Sequence, residues 1–277
     1  MSGPEGLDTA LADLAATARG GASVLVALDF DGVLAPLVDV PSQSRAIPEG
    51  VAAMRRLGGI EHVHLALVSG RGLADLASVA QVPDGTLLVG SHGAEVGSWD
   101  GGLRRGGPVL DEAQAELLTD LSGRLRDLAE ATAARVEVKP TTAVLHTRGV
   151  DPGTTSRLTQ AALELGARQG VDVMQGRDIV ELSVLHVTKG DALRELRSRT
   201  HAARVLFAGD DVTDERAMSV LEPGDVGVRV GDGESVAPYR VADPEAMAAV
   251  LHRLADLLAR PGSGGPSPAR GGDSVAG

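Results

Sequence analysis

The sequence predicts an α/β fold: a Rossmann-like parallel sheet core with an inserted small α+β cap domain. Three features predict it. Short continuous apolar runs, bounded by turn residues, suit strands covered on both faces. Amphipathic helical stretches separate these runs, which is the β-α-β signature of a parallel sheet. In the middle of the chain the texture changes to alternating apolar and polar residues, as in antiparallel strands with one covered face.

Taken in order, Leu7, Leu11 and Leu14 recur at helical spacing over residues 6–18, and VLVAL at 24–28 reads as the first buried strand. Pro48 opens a helix with Val51, Met54 and Leu57 on one face, and Gly58-Gly59 ends it. VHLALV at 63–68 is a second buried strand, followed by a helix at 71–80 and a strand at 86–89. From residue 97, GSWDGGLRRGG reads as a hairpin or connector. A helix over 111–132 carries Leu117, Leu121, Leu125 and Leu128 in register. ARVEVK and TAVLHTR, split by Pro140-Thr141, then alternate like paired strands. A helix at 153–168 and a hairpin of VDVM and IVELSV around Gly176 repeat that pattern. The α/β texture resumes with Thr188 capping a helix at 189–199, a strand at 205–208, a helix at 213–220, DVGVRV, and a helix at 243–259. The predicted division is a discontinuous core of residues 1–97 and 187–260, a cap of 98–186, and a Gly/Ser/Pro-rich tail, 261–277, expected to be disordered.

Composition narrows the chemistry. Lys and Arg number 26 against 38 Asp and Glu, a net charge of −12, which argues against a nucleic-acid partner. Phe30, Trp99, Phe207 and Tyr239 are the only aromatics, too few for a base-stacking platform, and the absence of cysteine excludes disulfide and thiolate chemistry. No run approaches ~18 apolar residues, so no membrane helix is expected. The first ten residues lack the basic and apolar regions of a secretory leader, and a cytoplasmic location is expected. Lysine occurs only at Lys139 and Lys189, against 24 arginines. Where arginine is the default cation, a retained lysine points to a need for a compact ammonium.

Four stretches carry candidate chemistry. Asp29 and Asp31 follow the first buried strand with side chains on the same side, at the carboxyl end where α/β folds place ligands; a solvated turn is the alternative. One carboxylate can act as nucleophile or metal ligand and the other as general acid/base. Ser69-Gly70-Arg71 follows the second strand and suits a phosphate oxygen, or Ser69 caps a helix. Lys189 opens a helix, where the dipole disfavours a cation unless an anion lies nearby. Asp210, Asp211, Asp214 and Glu215 repel one another unless a cation compensates them; Thr213 capping the next helix accounts for Asp214 and Glu215 but poorly for Asp210.

In the order DxD, Ser, Lys, GDD these stretches resemble the four motifs of the haloacid dehalogenase superfamily of aspartate-nucleophile phosphatases, carried here by residues 24–34, 65–71, 188–191 and 205–215. More narrowly, GSHGAE at 90–95, EVK at 137–139, HTR at 146–148, GRDIVEL at 176–182 and GDDVTDE at 209–215 are similar to the trehalose-6-phosphate phosphatases, over residues 24–258. Val33, Ser183 and Val184 depart from the family pattern, which has a threonine at the first position and often a basic residue and a proline at the other two. The resemblance implies an Mg²⁺-dependent phosphatase acting on a sugar phosphate. Asp29 would be nucleophile and metal ligand. Asp31 would be acid/base, with its backbone carbonyl on the metal. Asp210 would be a further ligand, with Asp211 and Asp214 in the metal's surroundings and Asp214 orienting either Lys189 or a metal-bound water. Ser69 and Lys189 would hold phosphate oxygens. The substrate contacts implied are Arg71, His92, Gly93 and Glu95 on the core side and Glu137, Lys139 and Glu181 on the cap. His146 and Arg148 alternate with Leu145 and Thr147, so both are placed facing the same cleft, or on a solvated sheet face. A functional link to a trehalose-6-phosphate synthase is a further implication. Another sugar-phosphate phosphatase of the superfamily stays open as an alternative. So does a phospho-acceptor module, although such modules lack a partner carboxylate two residues past the nucleophile.

Overall fold

The computed structural model describes residues 4–106 and 110–259. Its centre is β1 (Val24–Leu28), all five residues of which are buried. β1 pairs in parallel with β2 (Val63–Val68) on one side and β10 (Arg204–Gly209) on the other. The alternation of a strand explains the double burial. Val24, Val26 and Leu28 face one apolar cluster, where α1 (Pro4–Arg19), α2 (Pro48–Gly58) and α8 (Pro244–Leu258) contribute Leu11, Leu14, Met54, Leu57, Leu251 and Leu254. Leu25 and Ala27 face the opposite cluster, with Leu193, Leu196 and Met218 from α6 (Lys189–Thr200) and α7 (Val212–Met218). Full burial of each such leucine contributes about 1.5–3 kcal/mol.

The complete sheet runs β12-β11-β10-β1-β2-β3-β4-β5. It includes β3 (Leu87–Gly90), β4 (Glu95–Trp99), β5 (Leu103–Gly106), β11 (Val226–Val230) and the three-residue β12 (Tyr239–Val241). The turn-rich hairpin expected to open the cap thus belongs to the core. β4 pairs antiparallel with β3, Trp99 and Leu103 pack on the first cluster, and the expected boundary at 97/98 falls inside β4. β12 was not anticipated: three residues after Pro238 are too few to show a period. The helix expected at 71–80 is α3 (Leu73–Val79), starting two residues later because Gly72, not Ser69, is its N-cap.

A second sheet, antiparallel and four-stranded, has the order β6-β7-β9-β8. Its strands are β6 (Arg135–Val138), β7 (Thr142–His146), β8 (Asp172–Gly176) and β9 (Ile179–Ser183). One face buries Ala143, Leu145, Val180 and Leu182 against α4 (Glu112–Ala129) and α5 (Pro152–Gly166). The other face carries Glu137, Val144, Glu181 and Met174 in one cross-strand row. Among the described residues no helix is long and apolar enough to cross a membrane. The tail expected at 261–277 lies outside the described residues.

Leu145 is fully enclosed in the core of the small domain. Leu145→Ala should lower the stability of that domain by about 2–5 kcal/mol, read as loss of hydrogen-exchange protection in β6–β9 while β1 and β2 keep theirs.

Candidate active site

Three parallel strands end at one rim of the core sheet, and each hands over directly to a polar residue. Asp29 follows β1, and its backbone N–H still pairs with the Ala208 carbonyl at 2.9 Å. Ser69 follows β2, its N–H bonded to the Val89 carbonyl at 2.9 Å. Asp210 follows β10, and Lys189 is the first residue of α6. Parallel register therefore brings together residues far apart in sequence.

Lys189 is 1 % exposed, and its Nζ lies 2.8 Å from Asp29 Oδ2 and 2.7 Å from Asp214 Oδ1. Burial alone would lower its pKa, but the charges of Asp29 and Asp214 outweigh this and hold the ammonium well above its usual range. The acids respond in the opposite direction. Burial raises Asp29, with Lys189 partly offsetting it. Burial and the nearby Asp29 charge push Asp214 up to about 8. Burial, with Asp214 and Asp211, pushes Asp210 up to about 6. One ammonium thus faces more carboxylate charge than it can neutralise.

Carboxylate oxygens of Asp29, Asp210 and Asp214 lie within 4.8 Å of one another. Oxygen-only donors with an unbalanced negative charge suit a hard divalent cation. The three are not equivalent. Asp214 is fully buried, and both of its oxygens are engaged: Oδ1 by Lys189, Oδ2 by the backbone N–H groups of Asp210 and Asp211 at 3.0 and 3.1 Å. Asp29 carries one donor on each oxygen, the Phe30 N–H at 2.6 Å on Oδ1 and Lys189 on Oδ2, against three donors on Asp214. Asp29 and Asp210 thus keep more capacity for a cation, and Asp214 is the group that shapes the loop and holds Lys189. Asp211 lies outside this cluster. Its carboxylate caps α7, accepting from the Asp214 N–H at 3.0 Å and Thr213 Oγ1 at 2.8 Å, so the cap expected of Thr213 is made by Asp211 instead. Gly32 brings its backbone against Asp210: its φ is +75°, and a Cβ there would lie 2.1 Å from Asp210 Oδ2.

The Asp31 carboxylate is not part of this cluster either, although it lines the same cavity. Arg71 grips it with Nε on Oδ2 at 2.6 Å and Nη2 on Oδ1 at 2.8 Å. The same guanidinium bonds Asp75 Oδ2 at 2.7 Å and the Pro41 carbonyl at 2.8 Å, and sits 5.5 Å from the Phe30 ring centroid. Arg71, expected on the substrate, is in this structure committed to protein groups. Ser69 is buried and accepts from the Arg71 N–H at 3.2 Å.

His92 takes a left-handed backbone (φ 57°), and its ring lies over Gly70, where a Cβ would come within 2.5 Å of it. Burial, with Lys189 nearby, depresses its pKa to about 4, so the ring is neutral near pH 7. Gly93, expected beside the substrate, instead packs on Val187, which a Cβ would meet at 2.6 Å. Glu95 is buried and ties the loop down, accepting from Ser91 Oγ at 2.7 Å and the Leu73 N–H at 3.4 Å.

Apart from Asp214, Gly32 and Gly93, these groups line one cavity of about 1070 Å³ between the rim and the open face of the small sheet. Across it stand Glu137, Lys139, His146 and Glu181. Lys139 Nζ is 3.5 Å from Glu181 Oε1, and His146 Nε2 is 2.9 Å from Glu137 Oε2. Arg148 does not line it: β7 ends at His146, the alternation stops, and Arg148 is exposed in the following turn. Arg105 on β5 does line it, 3.4 Å from Glu95 Oε2, and the sequence carried no signal for it, since arginine is the common cation of this chain. The departures at Val33, Ser183 and Val184 are absorbed by the fold. Val33 and Val184 are buried in the apolar clusters, and Ser183 Oγ donates to the Leu185 carbonyl at 3.0 Å.

Comparison with known proteins gives one consistent relationship. The profile of the trehalose-phosphatase family matches residues 27–245. The chain is similar to a trehalose-phosphate phosphatase of Mycobacterium avium, 32% identical over 273 residues, covering 90% of this chain and 68% of that protein. It is also similar to an uncharacterised glycosyl hydrolase, Rv2006, of Mycobacterium tuberculosis, 33% identical over 245 residues; the match covers 83% of this chain but spans only 18% of that protein. The C-terminal domain of Candida albicans trehalose-6-phosphate phosphatase shares the fold at a TM-score of 0.64 and 20% identity, over 89% of this chain and 97% of that one. The fold is common to haloacid dehalogenase-like hydrolases.

A divalent cation held by Asp29 and Asp210 would stabilise the folded state by mass action. Titration with Mg²⁺ should therefore raise Tm, and Gly32→Ala, which forces Asp210 away, should abolish the rise.

Proposed function

Because the chain belongs to the trehalose-phosphatase family, we propose that it is an Mg²⁺-dependent phosphoric monoester hydrolase. In this reading it converts trehalose 6-phosphate to trehalose and phosphate, the last step of trehalose biosynthesis. The observation that carries the reading is Lys189 bridging Asp29 and Asp214 at the rim, opposite the polar row of the small sheet and in one cavity with it.

Asp29 attacks phosphorus and forms an aspartyl-phosphate while the bond to the sugar oxygen breaks. An ammonium has three donors, and Lys189 spends two on Asp29 and Asp214, so the third is free for a phosphate oxygen. Ser69 lines the same wall and supplies a hydroxyl donor. Asp31 gives a proton to the departing sugar oxygen and then takes one from the water that releases phosphate from Asp29. Asp29, Asp210 and the Asp31 carbonyl would hold Mg²⁺, which would supply positive charge to offset the repulsion between a carboxylate and a phosphate dianion.

The small sheet closes the site as a cap and selects the sugar. Glu137 and Glu181 present acceptors for sugar hydroxyls. His146 orients Glu137, and Lys139 balances Glu181. The cavity has room for a disaccharide. A trehalose-6-phosphate synthase would supply that substrate.

The reading is tested with a panel of trehalose 6-phosphate, sucrose 6-phosphate and glucose 6-phosphate, each with and without Mg²⁺, scored by phosphate release. Turnover should be highest on trehalose 6-phosphate, require Mg²⁺, and drop by about 10⁴-fold or more in Asp29→Asn. Preference for the monosaccharide rejects the substrate. A stable phosphoprotein without turnover rejects hydrolysis altogether.

A further inference from the structure

Ser44 belongs to none of the motifs above. It lies on the strap of residues 36–47 that leaves the β1 rim and returns to the start of α2. The strap is anchored at its far end by the Ile47 N–H on the Leu34 carbonyl at 2.8 Å. Ser44 is fully buried, and its hydroxyl donates to Asp31 Oδ1 at 2.8 Å. The backbone around it is held independently. Ser44 N–H bonds the Pro41 carbonyl at 3.2 Å, Arg45 Nη1 bonds the Ser44 carbonyl at 2.6 Å, and Arg71 reaches Pro41 from the other side. The hydroxyl is therefore not needed to fold the strap, and it is aimed at a carboxylate.

A carboxylate offers about four lone-pair directions, two on each oxygen. On Asp31, Ser44 Oγ and Arg71 Nη2 occupy both directions of Oδ1, and Arg71 Nε occupies one of Oδ2. One direction stays open, on Oδ2. From this geometry we infer that Ser44 is a positioning residue. Together with Arg71 it fixes the Asp31 side chain so that Oδ2 is the atom that delivers and recovers the proton. The inference rests on the phosphatase reading and deepens it.

The step balances as follows. The Asp29 oxygen–phosphorus bond forms, the phosphorus–sugar oxygen bond breaks, and the proton on Asp31 Oδ2 passes to the sugar oxygen. Asp31 is left as a carboxylate. It then removes a proton from water through the same oxygen as the water oxygen joins phosphorus and the Asp29 bond breaks, which restores both side chains. Without the Ser44 hydroxyl a second direction opens on Oδ1, and the proton is shared between the two oxygens instead of being confined to Oδ2.

The test uses two substrates with different leaving groups in the full-length protein. A sugar alkoxide must be protonated as it departs, whereas 4-nitrophenolate leaves without a proton. Both kcat/KM values report the chemistry only as far as this cleavage, so hydrolysis of the intermediate drops out. In Ser44→Ala, kcat/KM for trehalose 6-phosphate should fall about tenfold or more, while that for 4-nitrophenyl phosphate stays within about twofold. Ser44→Thr, which keeps a hydroxyl, should restore the wild-type ratio. The ratio is taken within one preparation, so partial unfolding cancels. If the alanine variant is insoluble, the near-isosteric Ser44→Cys, a weak donor, should shift the ratio in the same direction. Equal losses on both substrates, or no loss on either, overturn the assignment of Ser44. A wild-type protein that releases phosphate from neither substrate overturns the phosphatase reading itself.

Discussion

Lys189 places one positive charge between the carboxylates of Asp29 and Asp214 where water is excluded. In such surroundings a broken pair leaves an uncompensated buried charge, at a cost of about 3–5 kcal/mol. The arrangement therefore holds three elements together as well as three side chains: the end of β1, the start of α6 and the first turn of α7. Asp214 extends the constraint by accepting the N–H groups of Asp210 and Asp211, which shapes the loop after β10. The position of Asp210 depends in turn on that loop and on the close approach of Gly32.

The two halves of the site follow different physical rules. On the core side, polar groups are buried, mutually bonded and shifted in pKa by low dielectric and neighbouring charge. On the cap side, Glu137, Lys139, His146 and Glu181 are only partly buried and form two separate pairs, at 2.9 and 3.5 Å. Rigid charge suits the reacting phosphorus, where misplacement is costly. Adaptable polar pairs suit sugar hydroxyls, which can exchange places with the existing partners.

Much of this was legible in the sequence because the core strands are short apolar runs in parallel register. VLVAL, VHLALV and VLFA locate β1, β2 and β10, and the residue after each run must sit at the same rim. The scarcity of lysine singled out Lys139 and Lys189 before any geometry was available. What stayed hidden depends on side-chain direction or on contacts across the fold. Arg71 reads as a cation beside a hydroxyl, yet its guanidinium closes on Asp31. Asp211 reads as part of the metal's surroundings, yet its carboxylate caps α7, whereas Asp214 bonds Lys189 as the resemblance implies. Arg148 continues an alternation that ends with the strand itself at His146. Ser44 has no spacing that ties it to Asp31, because a strap of irregular backbone connects them. The β4–β5 hairpin joins the core through pairing with β3, which no local pattern announces.

Trp99 sits on β4, inside the core sheet, packed on the cluster beneath β1. Phe30, Phe207 and Tyr239 belong to the same domain, and the apolar cluster of the small domain is built from leucine, valine and alanine, with no aromatic residue. The intrinsic fluorescence of this protein is consequently a one-domain signal. Melting or displacement of the small sheet away from Trp99 passes unseen by emission spectroscopy, and a dye placed on β6 or β8 is needed to make it visible.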